Sequence, residues 1–231
     1  MTVEEDNDLD CLAVLSDHEQ DVKCVQWHPN EDVLASASYD DTIKIHEEEP
    51  STDEWRCRST FQGHTSTVWS IAWDKSGRFL ASVSADGTLK IWRADSGVCV
   101  QTFGPFDRTV YSVSWSSSAH AMLAIAGADD AVRLFAPVAA EESASPSWQQ
   151  VHQIDRAHTQ DINAIAWRPV DGTDFCPVTT TTTTTTTTTP GGADEAPASA
   201  MQTAQACQFA TASDDGIVKI WQYRHPEETL L

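Results

Sequence analysis

Residues 63–92 read GHTSTVWSIAWDKSGRFLASVSADGTLKIW, and the fold follows from how this stretch is patterned. From Thr67 to Trp73 apolar and polar residues alternate, the mark of a half-buried strand. Residues 81–92 then hold two short apolar runs around Asp86-Gly87, which predicts two strands joined by a tight turn. The stretch recurs. His18, His64, Phe106 and His158 each stand nine residues before a tryptophan: Trp27, Trp73, Trp115 and Trp167. Residues 35–46, 124–135 and 210–221 match 81–92, and Asp40, Asp86, Asp129 and Asp215 each precede the closing His46, Trp92, Phe135 or Trp221 by six.

A further strand is expected at 55–61, 98–103 and 148–154, which makes four strands per unit at periods of 42 to 52 residues. That is the arithmetic of propeller blades. Gly63-His64, Asp86 and Trp92 resemble the signature of WD40 repeats. His158, Asp215 and Trp221 repeat it in full, whereas His18/Asp40/His46 and Phe106/Asp129/Phe135 read as degraded copies. The fold class expected is all-β, a partial WD40 β-propeller of about four blades. Its divisions are an acidic start with an outer strand (1–16), repeats at 17–62 and 63–104, a degenerate repeat at 105–155, a repeat at 156–223, and a tail at 224–231.

The resemblance implies a hydrogen-bonded tetrad in each blade: the His bridges the turn Asp and a second-strand Ser (Ser82 or Ser84, for example), and the indole N–H reaches the Ser. An unpaired buried polar group costs about 1–3 kcal/mol, so such a network is retained as a unit. In the third repeat, where Phe106 and Phe135 stand, it is expected to be given up as a whole for apolar packing. Ser, His and Asp together also suggest a hydrolase. The constellation instead repeats four times with decay, lies under an indole and lacks a glycine-rich nucleophile turn, so no enzyme, cofactor or metal is expected.

The formal net charge of −21 excludes a surface for nucleic acid or anionic lipid, and no apolar stretch approaches membrane-spanning length. The acidic start resembles neither a signal nor a transit peptide, which points to the cytosol and also to the nucleus. Six cysteines (Cys11, Cys24, Cys57, Cys99, Cys176 and Cys207) form no CxxC pair and no metal-ligand spacing.

Residues 9–15 read as the outer strand of a blade whose first three strands do not precede it. That predicts either a fragment of a seven-bladed ring or a ring closed by this strand on the last blade. Between Trp167 and Phe209 lie eleven consecutive threonines (179–189), so a disordered insertion is expected at about 171–206. It leaves from the bottom face, as do the 47–53 and 137–147 linkers.

Finer strings resemble the WD40 subunit family of cytosolic iron–sulfur protein assembly: Val25-Gln26-Trp27-His28-Pro29, Ser66-Thr67-Val68-Trp69-Ser70, Arg108-Thr109-Val110-Tyr111, residues 157–163 and Ser213-Asp214-Asp215-Gly216. The resemblance reads nearly end to end apart from the threonine insertion. It implies a scaffold of the targeting complex, bound to that machinery's other subunits and to apoprotein clients, which holds no cluster itself. Position after the His predicts a partner-binding top face of Asp21, Lys23, Thr67, Trp69, Arg108, Thr109, Tyr111, Asp161 and Asn163. Trp69 and Tyr111 either stand exposed there as a hot spot or pack between blades. A ubiquitin-ligase substrate receptor or a signalling scaffold is the competing role.

Overall fold

The computed structural model describes residues 10–118, 120–138, 146–169 and 206–224, and the described residues contain strands and no helix. The strands fall into four antiparallel sheets, taken here as blades one to four. Blade one holds β1 (Val22–Trp27), β2 (Val33–Ser38), β3 (Ile43–Glu49) and β4 (Glu54–Phe61). Blade two holds β5 (Val68–Trp73), β6 (Phe79–Ser84), β7 (Leu89–Arg93) and β8 (Cys99–Phe103). Blade three comprises β9 (Val110–Trp115), β10 (Leu123–Gly127), β11 (Val132–Pro137) and β12 (Trp148–Ile154). Among the described residues blade four has three strands, β13 (Ile162–Trp167), β14 (Ala206–Ser213) and β15 (Val218–Arg224).

Burial explains the composition of each strand. The second strands β2, β6 and β10 are apolar or small throughout because neighbours cover both faces; every residue of β6 is buried. The outer strand β4 alternates, with one side in water. Three cores lie between consecutive sheets. Ala35, Ala37, Ile43 and Ile45 of blade one meet Val68, Ile71, Leu80 and Trp92 of blade two. Val83, Leu89 and Ile91 meet Val113, Leu123 and Ile125 of blade three. Met122, Ala124 and Leu134 meet Ile162, Ile165 and Trp167 of blade four.

Polar stitches cross the seams as well. His28 Nε2 lies 3.0 Å from the Gly77 carbonyl. The Gln101 amide donates to the Trp148 carbonyl at 2.8 Å and accepts from the Trp148 N–H at 2.8 Å.

One expectation is corrected. Residues 10–17 form no strand; Leu12 and Val14 are 91% and 83% exposed. A lone extended segment has no partner for its backbone groups and no second layer to bury its side chains against. The insertion at 171–206 lies outside the described residues except at its C-terminal end, where Ala206 opens β14.

Candidate functional site

At the end of each blade where its first strand begins, the first and second strands slip register by one residue. The shift falls between Val22 and Cys24, Val68 and Ser70, Val110 and Ser112, and Ile162 and Ala164. Lys23, Trp69, Tyr111 and Asn163 are the residues left over. A bulge frees its extra residue from the ladder and re-aims its side chain, so four bulges present four side chains on the same edge. Beside each bulge the turn between second and third strands is tied down by one backbone bond: Tyr39 N–H to Asp21, Ala85 to Thr67, Ala128 to Thr109 and Asp214 to Asp161, at 2.9–3.0 Å.

The side chains on this edge form a row. Lys23 Nζ lies 5.6 Å from the Tyr39 ring centre and 5.7 Å from that of Trp69, and is held by Asp21 at 3.0 Å. Trp69 meets Tyr111 edge to face, with centroids 5.4 Å apart. Both rings are half-buried, between a free-standing and an inter-blade position. Burial, with Asp161 beside it, raises the Tyr111 hydroxyl above its ordinary pKa, so it stays protonated and donates to that carboxylate. Asn163 bonds the Asp214 carboxylate, while Arg108 is exposed. A cleft of about 460 Å³ lies between blades two and three, lined by Gly87, Phe106, Arg108, Tyr111 and Asp161 among others. A second, of about 660 Å³, runs on to Asp129, Asp130 and Asp214.

Thr67 does not belong to this surface: it is 5% exposed, beneath the turn its carbonyl anchors. Tyr39, 51% exposed, and Asp214 do belong there and escape the position count, because they sit in the second-to-third strand turn rather than on the first strand.

Beneath this edge lie the tetrads. In blade two the Trp92 indole donates to Ser82 Oγ at 2.8 Å, Ser82 Oγ is 2.7 Å from His64 Nε2, and His64 Nδ1 is 2.8 Å from Asp86. An indole nitrogen only donates, so Ser82 Oγ accepts from Trp92 and keeps its own hydrogen for His64 Nε2 when the ring turns Nδ1–H to the Asp86 carboxylate. Blade four repeats this with Trp221, Thr211, His158 and Asp215 at 2.9, 2.7 and 3.0 Å. Ser82 is the tetrad member; Ser84 bonds the Ser66 carbonyl and the Asp86 N–H.

Burial works to raise the Asp86 carboxyl, but bonds from His64, Thr88 and the Thr65 N–H outweigh it and hold the group well below the usual carboxylate range. Asp40 is held low in the same way by Thr42, His18 and the Glu19 N–H against the opposing effect of burial.

Blades one and three depart from the sequence expectation in opposite senses. Blade one, read as degraded, keeps a closed chain: Asp40, His18, Ser36 and His46 are linked at 2.8, 2.7 and 2.9 Å. His46 Nε2 takes the place of the indole N–H. Its Nδ1 is then buried without a hydrogen bond, 3.7 Å from Asp17, and burial, partly opposed by Asp17, lowers its pKa. Blade three does not lose its Asp to apolar packing. Phe106, Ile125 and Phe135 replace three members, but Asp129 pairs with Arg133 at 2.6 Å, and Arg133 lies 4.5 Å over the Phe106 ring. A carboxylate in a turn that has lost its His still needs a cation, and the third strand supplies one.

The Ser–His–Asp geometry resembles a nucleophile relay, yet Ser82 is fully buried and its hydroxyl is held by both Trp92 and His64. A substrate carbonyl has no approach to that oxygen.

The WD domain, G-beta repeat family matches residues 9–47 and 55–93. Curated proteins are similar as well. A cytosolic iron–sulfur protein assembly protein CIAO1 homolog of Ixodes scapularis is 54% identical over 48 residues, 21% of this chain and 15% of its own length. A CIAO1 homolog of Nematostella vectensis is 36% identical over 112 residues, 48% and 24% of the two chains. The cytosolic iron–sulfur protein assembly protein CIAO1 of Rattus norvegicus is 38% identical over 104 residues, 45% and 21%. These matches span under a quarter of each relative and under half of this chain, less than the nearly end-to-end likeness read from its motifs. The repeats, the four antiparallel sheets and these likenesses make this an all-β chain of WD40 repeats in β-propeller blades that resembles the cytosolic iron–sulfur assembly proteins.

Proposed function

We propose that the chain is a non-catalytic scaffold of cytosolic iron–sulfur protein assembly, binding the subunits of a targeting complex and apoprotein clients through the bulge edge of its blades. The observation that carries this reading is the likeness to the CIAO1 proteins of Ixodes and Nematostella, whose names place them in that process. The geometry supports it: bulges present Lys23, Trp69 and Tyr111 as a row beside two clefts, and half-buried aromatics beside charged residues are the usual make-up of an interface hot spot. The tetrads are structural, and the site of action is the cytoplasm.

Affinity purification of the C-terminally tagged chain from its own cells, followed by mass spectrometry, tests the proposal. Iron–sulfur assembly subunits and apoproteins are expected, with recovery reduced at least about tenfold by a Trp69→Ala/Tyr111→Ala variant. Recovery of cullin or signalling complexes in their place overturns the pathway. Undiminished recovery by the double variant overturns the assignment of the surface.

A further inference from the structure

At the seam between blades one and two the chain holds a cation of its own. Asp21 fixes the Lys23 ammonium at 3.0 Å, and the rings of Tyr39 and Trp69 lie 5.6 and 5.7 Å from it. At such distances the electron-rich faces of aromatic rings attract a cation, and the carboxylate adds its charge.

The positions that build this seat recur in the blades that follow. Counted from the His or Phe that opens each repeat, Asp21 corresponds to Asp161, and Lys23 to Trp69, Tyr111 and Asn163. Tyr39, just before the turn Asp40, corresponds to Ala85 and Ala128 before Asp86 and Asp129. A carboxylate and a ring are therefore kept: Asp161 of blade four accepts from the Tyr111 hydroxyl of blade three, and a carboxylate has room for further donors. The cation is not kept, and a methyl group stands where Tyr39 has its ring. Space results. Ala85 and Ala128 line the cleft of about 460 Å³, and Ala128 also lines the one of about 660 Å³. The lining residues of both clefts lie in blades two to four and the turns between them, all of them described.

Charge selects the occupant. Asp129 is already paired with Arg133. Arg108 is then the one cation lining the second cleft to meet Asp107, Asp130, Asp161 and Asp214. An anionic ligand is repelled there, whereas a guanidinium fits a ring and a carboxylate together.

Resting on the reading of this edge as the partner-binding surface, we propose that the clefts seat an arginine side chain from an extended basic segment of a protein partner. Its guanidinium lies beside the Tyr111 ring and on Asp161, as Lys23 lies beside Trp69 and on Asp21. Ala85 and Ala128 determine the specificity, because a larger side chain at either turn fills the seat.

Fluorescence anisotropy on the full chain tests this with a labelled peptide of repeated Gly-Ser-Arg, and with the same peptide carrying neutral citrulline for arginine. The arginine peptide is expected to bind at least about tenfold more tightly than the citrulline one. Ala128→Tyr copies Tyr39 and leaves the net charge unchanged, so it separates the cleft from the general attraction of an acidic chain. It is expected to weaken the arginine peptide at least about tenfold with the far-ultraviolet circular dichroism unchanged. Equal binding to the folded variant overturns the proposal, as does a failure of the arginine peptide to bind or to outbind citrulline. Should Ala128→Tyr not fold, Asp161→Asn is compared with Asp53→Asn, the same loss of charge in a turn at the opposite edge of blade one. Equal effects of those two overturn it. In the affinity purification, partners lost with Trp69→Ala/Tyr111→Ala but kept by Ala128→Tyr overturn the arginine seat and leave the scaffold standing. Cullin or signalling complexes that Ala128→Tyr releases overturn the pathway and leave the seat.

Discussion

Ser82→Ala tests the account of the tetrad most directly. The hydroxyl is fully buried, accepts from Trp92 at 2.8 Å and bonds His64 Nε2 at 2.7 Å. Its removal leaves an indole N–H and an imidazole nitrogen unpaired inside the blade. Each orphaned group costs about 1–3 kcal/mol, and the small cavity allows little relaxation, so a loss of about 2–4 kcal/mol is expected. At about 2–4 °C per kcal/mol for a chain of this size, the melting temperature falls by roughly 4–16 °C. Blade three suggests the control. The combination His64→Phe, Ser82→Ile, Trp92→Phe and Lys90→Arg copies Phe106, Ile125, Phe135 and Arg133, and should destabilise less than the sum of its single changes because no polar group is stranded. Urea titration followed by tryptophan fluorescence measures both. A Ser82→Ala loss under about 0.5 kcal/mol, the range of an ordinary surface change, refutes the reasoning, as does additivity of the four.

Further outcomes follow from the same geometry. Asp215, raised by burial but brought down to about 2 by the Thr159 N–H, His158 and the Ile217 N–H, is depressed on folding from its usual 3.8, so its stabilisation is present above 3.8 and lost as pH falls toward 2. Asp215→Asn should lower stability at neutral pH and flatten the acid limb of a pH–melting curve; an unchanged limb contradicts this. His46 is lowered on folding from 6.5, so the unfolded chain takes up the proton first and stability declines as pH drops below 6.5. His46→Trp, which restores an indole donor to Ser36, should raise the melting temperature and remove that decline in calorimetry. Gly87 has φ +75°, and a Cβ there would lie 2.8 Å from the Phe106 carbonyl oxygen. Gly87→Ala is therefore expected to cost about 1–3 kcal/mol in denaturant unfolding, and a neutral effect would mean the turn readily shifts.

The strands and blades could be read from the chain because their signals are local and repeated. Asp86-Gly87 turns, alternation from Thr67 to Trp73 and the nine-residue His-to-Trp interval each report on a few neighbouring residues. What escaped depends on contacts across the sheet. Thr67 stands just before β5 and Lys23 is the extra residue of β1, two repeat positions further on, and the register shift is what separates the buried one from the one that reaches Tyr39 and Trp69. That His46 substitutes for an indole, and that Arg133 adopts Asp129, requires knowing which third-strand side chains face the turn. Residues 10–15 carry every local mark of a strand and are not one here, because strand formation needs a partner that blade one does not offer.

The Gln101 amide bears on how the molecule opens. Its carboxamide makes both bonds of a peptide group with Trp148, at 2.8 Å each, and so joins the outer strand of blade two to that of blade three as if one ladder ran through both. Blade one is tied to blade two by one-way contacts, His28 Nε2 on the Gly77 carbonyl, the Asn30 amide on that of Lys75 and the Trp73 indole on that of Gln26. The rim strands of blades two and three should therefore lose amide-hydrogen protection together, as one cooperative unit. One glutamine side chain in that sense continues a backbone ladder across a seam that is otherwise closed by packing.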